Sequence, residues 1–319
     1  MRAHKIKSLS YLPVLICLFL SPLPGSEPEY SAVLSTIDDG LFSNIIGDRY
    51  SLESLTVSDG LHDNNINDIL QDSYGFLWLA GKAGLQKYDG YTFTFYKPDS
   101  INPAWQEAYR LFEDSSRNLW ALMKEGLVRY QRENDTYIKY SFVNDKKDTI
   151  PYTVTAIAED LNATVWFWVS GKGLFTINHL NNTFVPKVGF NEKYEIYIDT
   201  SVKSIVFDRE NNLWLGTQAN GLIVINPLSD DTKEYRANID VPGYLSHNMI
   251  TASLCDQKGN LWFATKRGLN RFNPDKNSFE NYYIDAINRN NNKNSFDRIA
   301  DDGDGNIWLV KRAIAIKGI

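Results

Sequence analysis

The chain has 319 residues, of which 13% are aromatic and 23% charged, with 20 Gly and 11 Pro. That composition excludes a disordered or collagen-like chain and leaves room for one large domain or two small ones. A formal charge of −6 argues against broad nucleic-acid binding, and the two cysteines, Cys17 and Cys255, cannot build a disulfide framework or a multi-cysteine zinc cage.

The first element in chain order is an address. Arg2, Lys5 and Lys7 make a positive start, and residues 11–20 (YLPVLICLFL) form an apolar stretch. Small, turn-prone residues follow at 21–26 (SPLPGS). This three-part pattern is that of a secretory signal peptide over residues 1–25, with an uncleaved membrane anchor as the alternative. Cys17 follows Ile16, where a lipid-acceptor cysteine wants a small residue. Cleavage would leave a more acidic product with one thiol, Cys255, expected as a buried core residue. Past residue 25 no apolar run approaches the ~18 residues a membrane helix needs. Residues 26–49 read as a lead segment, and residues 50–319 as a repeat region whose last unit is incomplete.

The repeat is marked by Trp78, Trp120, Trp166, Trp214, Trp262 and Trp308, spaced 42 to 48 residues apart. Six residues before each stands an Asp: Asp72, Asp114, Asp160, Asp208, Asp256 and Asp302. Six or seven residues after the first five comes Gly-Leu, at Gly84, Gly126, Gly173, Gly221 and Gly268. Three residues past that Leu stand Tyr88, Tyr130, Ile177, Ile225 and Phe272. Self-similarity at this period signals a repeat architecture.

Each unit predicts four short strands. The first is apolar-alternating, as at 66–70 or 202–207; a polar turn such as DSYG or DQKG leads to the second, such as FLWLA or NLWFA. A Gly-bearing turn leads to the third, such as GLQKY or GLIVI, and the fourth is looser, as at 93–96 or 279–283. Four strands per unit of this length make one blade of a β-propeller. The expected fold is therefore all-β, about six four-stranded blades, either a closed ring or an open arc of a larger one. Residues 50–57 (YSLESLTV) could close the ring by supplying the strand that the sixth unit lacks, which would hide both sheet edges. In this picture the Asp accepts backbone N–H bonds in the first-to-second turn. The Trp wedges between neighbouring blades. The Gly takes a backbone angle that a side chain would forbid. Six-fold recurrence suits a scaffold, and the Asp positions lack the clustered ligands of a calcium loop. No metal site and no cofactor is implied.

Residues 55–100 (LTVSDGLHDNNINDILQDSYGFLWLAGKAGLQKYDGYTFTFYKPDS) resemble the two-component regulator propeller repeat, with its GL…N, D..G.LW and GL..YDG..F pattern. DRENNLWLGTQANGLIVIN and DQKGNLWFATKRGLNRFNP match it well, and the likeness covers about residues 50–319. The resemblance implies a periplasmic sensor region of a membrane-spanning signalling protein. Such regions are followed by an immunoglobulin-like module, a membrane helix, and histidine kinase or diguanylate cyclase output. This sequence stops inside its sixth unit, which reads KRAIAI in place of Gly-Leu, and carries no kinase or cyclase motif. It therefore reads as a fragment of a larger sensor or a truncated relic.

Propellers bind ligands at one face of the central channel, in loops between blades and between second and third strands. Five of the six second-to-third turns carry a base: Lys82, Lys124, Lys172, Lys266 with Arg267, and Lys311 with Arg312. If these ring one face, an acidic body presents a basic rim suited to an anionic ligand such as an acidic oligosaccharide. The bland alternative is that exposed turns tolerate Lys. His62 and His247 sit at equivalent inter-blade loops and read as loop fillers. Trp105 stands outside the Trp register, as a sugar-stacking aromatic or a loop anchor. Three classes remain: a periplasmic ligand sensor, an interaction scaffold that dimerises through propeller faces, and a propeller lyase or glycosidase. His4, His62, His179 and His247 form no metal-like or triad-like spacing, which argues against the enzyme, although a carboxylate pair stays open.

Overall fold

The computed structural model describes residues 6–9, 18–19, 31–32, 52–55, 57–63, 65–96, 107–124, 126–143, 149–150, 152–187, 201–226, 229, 231–238, 240–284, 287–288, 294–301 and 307–310. Most of the expected export signal and lead segment lies outside these residues. The chain divides into two compact units. One joins Met1–Leu12 to Asp48–Asp199, and the other joins Pro13–Gly47 to Thr200–Ile319.

The first unit holds three four-stranded antiparallel sheets, each a meander in chain order. Blade 1 runs Ile66–Gln71, Leu77–Gly81, Gly84–Tyr88, Phe93–Tyr96. Blade 2 runs Ala108–Glu113, Leu119–Met123, Gly126–Gln131, Thr136–Tyr140. Blade 3 runs Val154–Glu159, Val165–Val169, Gly173–Asn178, Thr183–Pro186. The second unit holds blade 4, Val202–Phe207, Leu213–Thr217, Leu222–Ile225, Thr232–Tyr235. Blade 5 follows with Ile250–Cys255, Leu261–Thr265, Gly268–Asn273, Ser278–Tyr282. Of the sixth repeat, Arg298–Asp301 and Ile307–Val310 are paired. Leu52–Leu55, the expected closing strand, pairs in parallel with Ile6–Leu9.

The second strand of each blade reads as a continuous apolar run because both of its faces are covered. All five residues of Leu119–Met123, Leu213–Thr217 and Leu261–Thr265 are buried. The first-to-second turns share one backbone solution. The residue three past the repeat Asp has positive φ in every blade: Gly75, Arg117, Ala163, Asn211 and Gly259. Its N–H donates to the Asp carbonyl at 2.8 to 3.1 Å.

The repeat Asp then holds the turn and the Trp together. In blade 1, Asp72 Oδ1 accepts the N–H groups of Tyr74 and Phe76, while Oδ2 accepts the Trp78 indole at 2.8 Å. The same indole bond recurs from Trp120 to Asp114, Trp166 to Asp160, Trp214 to Asp208 and Trp262 to Asp256, at 2.8 to 2.9 Å. The spacing of six residues is thus the reach from a turn carboxylate to the first inward ring of the next strand.

Above that anchor the rings form the seams between blades. Trp78 lies 4.6 Å from the Tyr130 ring of blade 2, and Trp214 lies 4.8 Å from Phe272 of blade 5. Each Trp also meets an aromatic closing its own fourth strand: Tyr96, Tyr140, Tyr235 and Tyr282, at centroid distances of 5.3 to 5.7 Å. Trp166 is less buried than the other four. It is half-buried, with Lys187 Nζ 5.5 Å from its ring, while Trp168 two residues on is 1% exposed.

The Gly of the Gly-Leu pair has positive φ in all five blades. At Gly221 the reason is steric as well as torsional. A Cβ there would stand 2.1 Å from the Tyr235 carbonyl oxygen of the adjoining fourth strand.

Candidate ligand-binding face

The second-to-third connections are tight hairpins. Gly81 opposes Gly84 across Lys82-Ala83, Met123 opposes Gly126, and Thr265 opposes Gly268 across Lys266-Arg267. Each turn folds back on the residue just before the same blade's first strand. Lys82 N–H donates to Asn65 O, Lys124 N–H to Glu107 O, and Lys266 N–H to Met249 O. Adjacent first strands of the first unit are tied in register: Asn67 Nδ2 donates to Ala108 O, and Leu111 N–H donates to Asp68 Oδ2. The three turns of the first unit therefore lie at one end of its blades, with Lys82, Lys124 and Lys172 at their tips.

Their charges are not equally available. Lys82 is exposed. Lys124 Nζ lies 3.5 Å from Glu107 Oε2, and Lys266 Nζ lies 2.7 Å from Asp297 Oδ1. Lys172 Nζ sits 4.9 Å from the Phe142 ring. Arg267 is half-buried, its own N–H held by Thr265 Oγ1. Lys311, Arg312, Trp105, Asp302 and the Trp308 side chain lie outside the described residues. Local acids thus offset part of the positive potential that the turn sequences imply.

A second feature at this end was not read from the sequence. In every complete blade the first strand slips register by one residue near its start. The skipped residues are Asn67, Tyr109, Thr155, Lys203 and Thr251. Such bulges re-aim a side chain and recur beside functional sites. Among these, Asn67 bonds to Ala108 O and Thr251 Oγ1 to Phe296 O at 2.7 Å, each on a neighbouring segment. Tyr109 keeps 36% of its surface exposed. Burial, then the Glu107 carboxylate and its hydrogen bond, raise the Tyr109 hydroxyl's pKa. Tyr109, Glu107 and Lys124 therefore bring an aromatic surface and an ion pair together at the mouth of blade 2. The signal in the sequence was faint: a polar aromatic in the second position of a first strand.

Each of the described histidines, His62, His179 and His247, has its own set of neighbours. His62 stacks its ring on Phe95 at 3.9 Å, and its backbone N–H donates to Oε1 of the buried Gln86 side chain. The equivalent bond in blade 5 runs from Ser246 N–H to the buried Asn270 side chain. His247 Nδ1 accepts the Met249 N–H. Burial, then Arg267 and Lys266, hold His247 below its ordinary pKa; burial, then Arg129, do the same for His179. The fold thus favours the neutral imidazoles. The unfolded chain protonates near pH ~6.5, so stability falls as pH drops through that value. Unfolding temperature should therefore be lower at about pH 5.5 than at about pH 7.5. The double variant His179→Gln, His247→Gln should flatten the difference; an unchanged slope would assign it to other groups.

Three ties between successive repeats also escaped the sequence reading. Glu113 accepts both the N–H and the hydroxyl of Ser73, and Glu159 does the same for Ser115. In the second unit Asp301 accepts the Gln257 N–H. The acid always directly precedes the next repeat Asp, and the donor directly follows the previous one. Cys255 occupies this acid position in blade 5, and burial raises its pKa.

Antiparallel four-stranded meanders, each pinned by an internal Asp–Trp bond and meeting its neighbour through aromatic rings, are β-propeller blades. Three segments, residues 60–83, 196–219 and 244–267, match the family model described as "Two component regulator propeller". Histidine kinase P4 of Formosa agariphila is 41% identical over 49 residues, 15% of this chain and 4% of that protein. Among solved structures, one similar fold is the extracellular domain of a B. thetaiotaomicron protein assigned as a hybrid two component system. Its TM-score is 0.62 at 19% identity, over 81% of this chain and 40% of that one. Virginiamycin B lyase from Staphylococcus aureus shares the fold at a TM-score of 0.51 and 14% identity, over 70% of this chain and 72% of the lyase. The chain therefore spans under half the length of the sensor domain it resembles.

Proposed function

We propose that this chain is the ligand-sensing propeller of an exported, periplasmic signalling receptor and that it recognises an oligosaccharide bearing acidic groups. The observation that carries this reading is the bulge-borne Tyr109 ring, exposed beside the Glu107–Lys124 pair and at the same end of the unit as Lys82 and Lys172. An exposed aromatic face stacks on a sugar ring, an ion pair exchanges hydrogen bonds with hydroxyls, and the turn lysines favour carboxylates. The histidine kinase segment and the sensor-domain likeness support a place in signalling. Kinase or cyclase output belongs to other domains of such a receptor.

Calorimetric titration of the 319-residue chain with acidic and neutral oligosaccharides tests the reading. Tyr109→Ala should weaken binding of both by about tenfold or more, the loss of one stacking contact. Charge reversal of Lys82 and Lys172 together, which leaves the Glu107–Lys124 pair intact, should abolish binding of the acidic series alone. Unchanged affinity in both variants would overturn the assignment, and cleavage of the ligand during titration would reassign the chain to the enzymes.

A further inference from the structure

Lys87 lies on the third strand of blade 1 and points into the seam with blade 2. Its Nζ stands 5.4 Å from the Phe76 ring centroid, 5.7 Å from Trp78, 5.3 Å from Tyr96 and 5.6 Å from Tyr130. Asp135 Oδ1 is 3.6 Å away, and the Tyr130 hydroxyl oxygen 3.4 Å away. The side chain is 20% exposed. Arg129 over Trp120 and Arg271 over Trp262 occupy the same strand position in blades 2 and 5, each with a single Trp face. Four rings and a carboxylate around one ammonium exceed what capping a Trp requires.

The walls of this enclosure are fixed independently of the lysine. Trp78 is tied to Asp72, and the Tyr96 and Tyr130 hydroxyls both donate to Asp135. Asp135 itself sits in a turn of positive φ. Aromatic faces attract a cation through the ring quadrupole, and most strongly when the cation is partly desolvated. We propose that the seam between blades 1 and 2 is a recognition site for a primary alkylammonium, filled in the intact chain by Lys87. Removal of that side chain leaves a space matching n-propylammonium, the group by which Lys exceeds Ala.

The test is thermal unfolding of the wild type, Lys87→Ala and Lys87→Met, with n-propylammonium chloride, n-propanol or sodium chloride. Lys87→Ala should unfold at lower temperature than the wild type. A millimolar ligand supplied at on the order of 100 mM should raise that temperature by several degrees. n-Propanol and sodium chloride should not reproduce the shift, and the wild type should not show it. Lys87→Met restores volume without charge, so it should stay below the wild type and gain nothing from the amine. Equal rescue by n-propanol, an equal shift in the wild type, or no rescue of Lys87→Ala would overturn the proposal. If Lys87→Ala does not fold, Lys87→Met decides: stability at or above the wild type would also overturn it.

Discussion

Asp72→Ala is expected to destabilise the folded chain by about 3–5 kcal/mol, because it breaks a buried ion pair and also leaves the indole and turn N–H donors without an acceptor. The Asp72 side chain is fully buried and Arg132 Nη1 lies 2.8 Å from it. Burial opposes its ionisation, but Arg132, the Trp78 indole and the Phe76 N–H outweigh that and hold its carboxyl below the ordinary value. The substitution strands all three donors and the Tyr74 N–H. Arg132 also bonds Glu113 at 3.0 Å and lies 4.4 Å from the Tyr74 ring, so the loss propagates along the seam between blades 1 and 2. Urea unfolding followed by tryptophan fluorescence measures it. Arg132→Met should cost clearly less, because Asp72 keeps its indole and backbone donors. Equal losses would show that the turn bonds contribute little and that the ion pair dominates.

Trp120→Ala should cost a similar amount, about 3–5 kcal/mol, through the cavity it leaves. Trp120 is 1% exposed and packs 5.3 Å from Tyr140 and 5.2 Å from Phe167 of the next blade. Its removal also strips Asp114 of its indole donor. Trp166 holds the same repeat position but is half-buried, so Trp166→Ala should cost roughly half as much. If the two variants lose equal stability, repeat identity rather than local burial sets the energetics, and the wedge argument fails.

The scaffold was legible because its chemistry repeats. Six-residue Asp–Trp spacing, Gly-Leu pairs and short apolar strands encode turns and pleated strands locally, and local rules carry from sequence to backbone without knowledge of the fold. The aromatic that closes the fourth strand was less visible, because that strand is exposed and its other residues vary. The Ser73–Glu113 and Ser115–Glu159 ties were not visible. Donor and acceptor there lie about one repeat apart, and only blade packing brings them within hydrogen-bond distance.

For the candidate ligand face the division is sharper. The sequence alone determined that bases recur at the hairpin tips, since Lys82, Lys124, Lys172, Lys266 and Arg267 follow from turn alignment. Tertiary structure decided which of those charges is offset, by placing Glu107 against Lys124 and Asp297 against Lys266. It also decided that Tyr109 stands exposed, because a register slip in an inner strand leaves no periodic trace in one short strand. Hairpins are set by neighbours two to four residues apart, whereas local potential and exposure are sums over chains that meet only after folding.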